Sequence, residues 1–169
     1  LPIVGLEPSC IHTLSDEFLS LLPGELRAQE LAEQVHPFEG FVAQRLRDGA
    51  LDTAEWHPPE REELILHGHC HQKSLVGTAD TEAILAAAGY DVNTLDTSCC
   101  GMAGAFGYEA EHVEISKQMA ERRLAPTVRE APASTEVAAP GFSCRSQIKD
   151  VTPRTAQHPA ALLNKALRG

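Results

Sequence analysis

Residues 63–70 read ELILHGHC and residues 91–100 read DVNTLDTSCC, and in each stretch a short apolar segment leads to a cysteine. Short segments of this kind, bounded by polar residues, are typical of buried strands. The same pattern recurs towards both ends of the chain, in PIVGL (residues 2–6) before Cys10 and in EVAA (residues 136–139) before Cys144. The sequence therefore predicts four strands, each followed by cysteine.

Helical patterns fill the intervals between and beyond these strands, with apolar residues at three- and four-residue spacing or runs of good helix formers. They cover residues 11–22, 38–46, 82–88, 109–124 and 160–167. Pro126 is expected to end the fourth of these helices, because proline has no amide to donate. The alternation predicts an α/β fold: a mainly parallel sheet of about four strands with helices on both faces and the cysteines at the carboxyl ends of the strands.

Composition and charge exclude several kinds of protein. The 169 residues include 14 Lys and Arg against 24 Asp and Glu, which gives a net charge of -10. A surface built to bind nucleic acid needs clustered cations, so no nucleic-acid partner is expected. No apolar stretch approaches the roughly 20 residues that span a bilayer, so no transmembrane segment is expected. The chain begins at Leu1 without an initiator Met, and we interpret it as one domain, residues 1–169, from a longer protein.

The five cysteines are the main functional signal. Their odd number and the absence of an export signal argue against a disulfide framework and favour the cytoplasm. If the cysteines were only buried apolar residues, nothing would place each of them after a strand. Parallel sheets bind their ligands at the carboxyl edge, so this position favours a binding role. Converging thiolates bind soft metals, either zinc or an iron-sulfur cluster. The sequence therefore predicts metal ligands at Cys10, Cys70, Cys99, Cys100 and Cys144.

The adjacent pair Cys99-Cys100 favours iron-sulfur over zinc. Neighbouring thiolates chelate one tetrahedral ion with difficulty but can bind two irons of a cluster, and the close cysteine pairs usual in structural zinc sites are missing. A disulfide within the pair is disfavoured in a reducing compartment. The following residues, including Gly101 and Gly104, allow close approach of the backbone, so that loop amides can donate hydrogen bonds to sulfur.

Three histidines surround Cys70 in the segment HGHCHQK. Alternation along an extended chain places His69 and His71 on one side, where they could bind the metal, donate to sulfur or carry a proton coupled to redox change. We predict supporting roles near the metal centre for these two residues. His67 is expected to be structural.

Four segments together resemble a known family. GLEPSC, HGHCHQKSL, DTSCCGMAGAFGYE and PGFSCRSQ resemble the cysteine-rich CCG domain found in heterodisulfide reductase and in the iron-sulfur subunits of glycolate, lactate and glycerol-3-phosphate dehydrogenases. The resemblance extends from Pro2 to about Lys149. It is strongest to the C-terminal part of fused proteins that join a flavin-binding 2-hydroxy-acid dehydrogenase, a ferredoxin-like segment and tandem CCG units.

The resemblance implies a 4Fe-4S type of cluster, bound by a lone cysteine, the CC pair and a closing C-x-x-C. The corresponding residues are Cys70, Cys99 with Cys100, and Cys144, while Gln147 stands where the second closing cysteine would be. Residues 1–10 then correspond to the tail of a preceding unit, from which Cys10 could add a fifth ligand. In some relatives a CCG unit holds zinc.

Three functional hypotheses follow. The leading one is an electron-transfer domain of an FAD-linked 2-hydroxy-acid dehydrogenase of the lactate, glycolate or 2-hydroxyglutarate type, catalytically incomplete by itself. It would pass electrons from the flavin-binding and ferredoxin-like parts of the parent protein to an acceptor, either a quinone or a redox protein. The expected location is the cytoplasm or the inner face of the membrane.

The second hypothesis is a zinc-binding structural or docking module of the same oxidoreductase. The third is thiol chemistry at Cys99 or Cys100, activated by His69 or His71.

Overall fold

The computed structural model describes residues 1–54, 56–57 and 62–168, in which helices and short strands alternate. The strands are β1 (Ile3–Gly5), β2 (Val35–Pro37), β3 (Glu62–Leu66), β4 (Tyr90–Thr94) and β5 (Glu136–Ala138). The helices are α1 (Pro8–His12), α2 (Phe18–Leu21), α3 (Leu26–Gln34), α4 (Phe38–Arg47), α5 (Cys70–Leu75), α6 (Ala79–Ala87), α7 (Val113–Glu121), α8 (Leu124–Glu130), α9 (Phe142–Val151) and α10 (Pro159–Arg168). A π-helical turn, Thr13–Glu17, joins α1 to α2, and a 3-10 turn, Phe106–Tyr108, precedes α7.

The described strands form two parallel sheets. In the smaller sheet β1 pairs with β2, with Ile3 opposite Val35. In the larger sheet the order is β4-β3-β5, and Leu64 of the central strand lies opposite both Val92 and Glu136. Because β3, β4 and β5 all run in the same direction, the loops that follow them leave the sheet at one edge.

Helices cover both faces of the larger sheet. Leu64 and Leu66 of β3 belong to a buried cluster that includes residues of α4, α6 and α10. Ile65 points to the opposite face, where the buried cluster includes residues of α8 and α9. This alternation is the period of two expected of a strand buried on both faces. The predicted α/β class, the parallel strands and the helices on both faces are confirmed.

The strands differ from the prediction in number and grouping. The four predicted strands are present, within about a residue of their expected bounds, but β2 is a fifth strand and pairs only with β1. The segment Val35–Pro37 is only three residues long and ends in proline, so it carries little strand signal. The sheet predicted as a single unit is therefore divided into two.

The helices show one error and several omissions. The helix predicted for residues 109–124 is present over Val113–Glu121, but Pro126 does not end it: α7 ends at Glu121, and Pro126 lies in the first turn of α8. Proline is tolerated there because amides in the first turn have no partner within the helix. Four helices have no counterpart in the prediction, namely α3, α5, α8 and α9. Among the helices described, none combines the length and apolar character needed to cross a bilayer.

Candidate metal centre

Four of the five cysteines meet at the carboxyl edge of the larger sheet. Cys70 is the first residue of α5, which follows β3, and Cys144 lies in the first turn of α9, which follows β5. Cys99 and Cys100 lie in the loop after β4. The three adjacent parallel strands thus deliver four thiols to one place, as the sequence predicts for these residues.

The four thiols form a chain of contacts in the order Cys70, Cys99, Cys100, Cys144. The inner end is buried, with 3% of Cys100 and 1% of Cys144 exposed, whereas Cys70 is open to solvent. All are free thiols. The chain of sulfur atoms therefore runs from the surface into the interior, which gives a metal centre both a protected pocket and an outer edge.

The thiol pKa values alternate along this chain. Hydrogen bonds from Cys100 and Cys70, together with the amides of Gly101 and Ala103, hold the pKa of Cys99 well below its ordinary value. A contact with Cys100 likewise lowers the pKa of Cys144. The pKa values of Cys70 and Cys100 are raised, because their protons are shared with the neighbouring sulfurs and because both groups are desolvated. The pattern favours thiolates at Cys99 and Cys144, and thiolates are the form that binds metal.

The loop after the cysteine pair has an unusual backbone. Gly101, Ala103 and Gly104 have φ values of +99°, +41° and +69°. The amide of Gly101 donates to Cys99 Sγ over 3.3 Å, a contact of the kind predicted for this loop. Successive amides in such a conformation form a concave donor surface for anions. The loop is suited to offset the negative charge of a thiolate or of a sulfide-containing cluster.

Gln147, which replaces the second cysteine of the closing motif, holds this loop in place. Its Nε2 donates to the carbonyl of Cys100 over 3.1 Å and to the carbonyl and hydroxyl oxygens of Ser116, both over 3.0 Å. Only 3% of the residue is exposed. The side chain has a structural role between α9, α7 and the cysteine loop.

His67, which the sequence predicts to be structural, lies beside the buried thiols. It follows β3 directly, is fully buried, and its Nδ1 lies 2.8 Å from Thr97 Oγ1. A ring nitrogen of His67 and the sulfurs of Cys100 and Cys144 lie within 4.8 Å of one another. The sequence signal that points to the cysteines also applies to His67, because His67 directly follows β3 and so lies at the same carboxyl edge of the sheet.

His69 and His71 occupy different surroundings from each other. His69 is 8% exposed and caps α5, with Nδ1 accepting from the amide of His71 over 3.3 Å, and its ring lies against Gly141 near Cys144. His71 turns towards α1 and the π-helical turn: its Nε2 lies 3.4 Å from Glu17 Oε1 and its ring centroid 5.4 Å from that of His12. The supporting roles predicted for these histidines stay predictions.

Cys10 lies apart from the chain of thiol contacts. It is exposed, in α1, which follows β1 of the smaller sheet. The strand β1 does not share the edge formed by β3, β4 and β5, although α1 packs against α5, which begins at Cys70. Its role as a metal ligand stays a prediction.

The donor set of the site fits a soft metal centre. Four thiols in a continuous chain of contacts, two of them favoured as thiolates, are the kind of ligands that zinc and iron-sulfur clusters require. His67 Nε2 is buried and has no hydrogen-bond partner among the described residues. An unpaired buried nitrogen costs about 1–3 kcal/mol, and a bound metal would remove that cost.

Known proteins similar to this chain include dehydrogenases. It is 30% identical over 165 residues to a D-2-hydroxyglutarate dehydrogenase from Pantoea ananatis and 31% identical over 166 residues to one from Pseudomonas putida. These matches cover 96% and 94% of this chain but only 15% and 14% of the relatives, so the chain spans about one seventh of their length.

A second type of relative is a subunit of the anaerobic glycerol-3-phosphate dehydrogenase from Escherichia coli K12, which is 25% identical over 170 residues. That match covers 99% of this chain and 41% of the relative. No family model and no solved structure matches the chain.

Proposed function

We propose that the chain is the electron-transfer part of an FAD-linked oxidoreductase and that it binds an iron-sulfur cluster, of the 4Fe-4S type, at the carboxyl edge of the larger sheet. The observation that carries the proposal is the meeting of Cys70, Cys99, Cys100 and Cys144 from three adjacent parallel strands. The similarity to D-2-hydroxyglutarate and glycerol-3-phosphate dehydrogenases supports an oxidoreductase. The parent enzyme would oxidise a 2-hydroxy acid of the lactate, glycolate or 2-hydroxyglutarate type.

The protein environment is suited to electron transfer. The flavin-binding and ferredoxin-like parts of the parent protein would deliver electrons one at a time, and a quinone or a redox protein would accept them. The outer thiol, Cys70, is solvent-exposed, whereas Cys100 and Cys144 are buried. A centre held by all four would have one edge near the surface for exchange of electrons with a partner. Amide donors such as Gly101 and buried groups beside the sulfurs would tune its potential.

The first test is metal and sulfide analysis of anaerobically prepared protein. We expect iron and acid-labile sulfide in equal amounts and a visible absorption that bleaches on reduction. Cys100→Ser and Cys144→Ser should each lose most of the iron, because serine supplies a harder, more weakly acidic ligand. Colourless wild-type protein that takes up neither iron nor sulfide on reconstitution would contradict the proposal.

Cys10→Ser is the matched cysteine variant. We expect it to retain the iron and the visible spectrum, because Cys10 is exposed and is not among the groups that contact Cys70 and Cys99. Loss of iron in Cys10→Ser equal to that in Cys100→Ser would instead show that Cys10 is a ligand. The pair of variants therefore separates ligation from the general effect of removing a thiol.

A zinc-binding structural or docking module is the second candidate, and one distance favours it. The ligand atoms of His67, Cys100 and Cys144 lie within 4.8 Å of one another. Ligands of one tetrahedral zinc ion lie about 3.4–3.8 Å apart, from metal-ligand bonds of about 2.0–2.3 Å, so a small contraction would bring these three onto one ion. Stoichiometric zinc in a colourless protein, with loss of folding on chelation, would establish this alternative.

A further inference from the structure

His67 is held in place by contacts with residues from the two strands that flank β3. Its backbone amide donates to the carbonyl of Ala138 over 2.9 Å, which anchors the residue beside β5. Its Nδ1 lies 2.8 Å from Thr97 Oγ1, in the loop after β4. Lys73 Nζ in turn donates to the carbonyls of Thr97 and Ser98, so the segment that carries this hydroxyl is also fixed.

These contacts leave one nitrogen of the ring for another purpose. In the tautomer in which Nδ1 donates its proton to Thr97 Oγ1, the lone pair is on Nε2, and this is the form that a metal requires. Nε2 is fully buried and has no partner of normal hydrogen-bond geometry within the described residues, although the imidazole is close enough to Cys144 to help lower the pKa of that thiol. Cys100 and Cys144 are its neighbours, with the three ligand atoms within 4.8 Å.

The other nearby histidines are engaged elsewhere. His69 uses Nδ1 to cap α5, and His71 Nε2 faces Glu17. The amide nitrogen of Gln147 donates hydrogen bonds to the carbonyl oxygens of Cys100 and Ser116. His67 is therefore the nitrogen donor best placed to join the thiols.

We propose that His67 Nε2 is a direct ligand of the metal centre, together with the cysteines, and that Thr97 is the residue that positions it. The inference rests on the proposed function, since it requires that the thiols hold a metal. Compared with a thiolate at the same position, which His67→Cys would supply, a neutral imidazole makes the centre less negative by one charge, and this raises its reduction potential. The mixed ligand set would thus make the centre a better electron acceptor than an all-cysteine one.

The test uses the iron-loaded protein, reduced and studied by pulsed EPR. The wild type should show strong coupling to a nitrogen nucleus, which changes from a ¹⁴N to a ¹⁵N pattern when the protein is made with ¹⁵N-histidine. The coupling should be lost in His67→Ala and retained in His71→Ala, the matched control, because the His71 ring faces Glu17. His67→Cys, which restores a thiolate, should shift the midpoint potential downwards.

Two further experiments test the proposal if His67→Ala does not fold or if the bound metal is zinc. If His67→Ala does not fold, Thr97→Val in the same protein should alter the nitrogen coupling while the iron content stays unchanged, because only the partner of Nδ1 is removed. If the bound metal is zinc, X-ray absorption should show one nitrogen among the sulfur ligands of the wild type and only sulfur in His67→Cys.

The possible failures are distinct. Iron-loaded wild-type protein with no histidine coupling, or coupling that persists in His67→Ala, would overturn the role of His67 and leave the iron-sulfur proposal intact. Protein that binds neither iron nor zinc would overturn the proposed function, and the role of His67 with it.

Discussion

At the scale of single residues, the close packing of the cysteine loop depends on the absence of a side chain at Gly101. Its φ of +99° is disfavoured for any residue with a Cβ, and a Cβ built there would overlap the carbonyl oxygen of Ser116. We expect Gly101→Ala to lower the free energy of unfolding by about 2–4 kcal/mol. Urea denaturation measures the change.

Gly104→Ala is the matched comparison for this prediction. Gly104 also has a positive φ, +69°, but nothing lies within 4 Å of a Cβ built at that position. Only the backbone strain then remains, and a loss of about 1 kcal/mol is expected. Equal losses in the two variants would show that the overlap with Ser116 does not contribute.

The sequence predicts the position of the four cysteines of the site but does not distinguish His67 from an ordinary buried histidine. A cysteine after a strand is a recognisable signal, and it places Cys70, Cys99, Cys100 and Cys144 at one sheet edge, where the structure has them. A histidine in the same position is common in protein interiors, so His67 was expected to be structural. What singles out His67 is an unpaired Nε2 close to two buried thiols, and this combination is a property of the packed structure that no spacing reveals.

At the scale of elements, short helices escaped prediction although they position the cysteines. The helix α5 has six residues and begins at Cys70, so its apolar periodicity is too brief to recognise. The helix α9 has ten residues, but Gln147 faces the interior and interrupts the apolar stripe. In both cases tertiary contacts, rather than the local pattern, hold the helix in place.

The contacts of Gln147 lead to a prediction about how these elements are joined. Gln147→Ala would leave the carbonyls of Cys100 and Ser116 buried without this donor, and we expect a loss of about 2–3 kcal/mol in the free energy of unfolding. A double-mutant cycle with Ser116→Ala measures the part carried by the side-chain bond to Ser116 Oγ. Because removing either residue breaks that bond, the double variant should lose less than the sum of the two single variants.

Gln44→Ala is a matched control, since Gln44 is a helical glutamine at the surface and bonds only to the exposed side chains of Asp48 and Arg47. It should change stability by about 0.5 kcal/mol or less. Additive losses in the cycle would contradict a direct contribution of the bond between Gln147 and Ser116 Oγ.

At the scale of the whole molecule, the division into two sheets was beyond sequence reasoning because the contacts that join the sheets are long-range. Glu7, after β1, accepts from the amide of Phe142 at the start of α9 over 2.7 Å. His158, at the start of α10, lies 2.9 Å from the carbonyl of Leu6. These contacts link residues far apart in the chain, and they place a polar junction between the smaller sheet and the elements that follow β5.

A buried carboxyl group at this junction should make stability depend on pH. Glu39, on α4, is 2% exposed, and its Oε1 lies 3.8 Å from His158 Nε2 without a hydrogen bond. Burial raises its pKa from 4.5 to about 7, with a further increase from Glu7 and an opposing effect of Arg145. Burial also lowers the pKa of His158, so protonation of His158 opposes folding at low pH and must be separated from the effect of Glu39.

Comparison with Glu39→Gln makes that separation, because His158 is present in both proteins. The folded state holds the Glu39 proton more tightly than the unfolded chain does, so this stabilisation is complete below pH 4.5 and is lost as the pH rises through about 7. Between pH 4.5 and 8, the free energy of unfolding of the wild type should fall relative to Glu39→Gln by up to about 3 kcal/mol. Urea denaturation across this range measures the difference. The control is Glu33→Gln, on the surface helix α3, whose stability relative to the wild type should change little with pH.

A difference between wild type and Glu39→Gln that does not vary with pH would contradict the prediction. It would mean that Glu39 ionises in the folded protein as readily as in the unfolded chain.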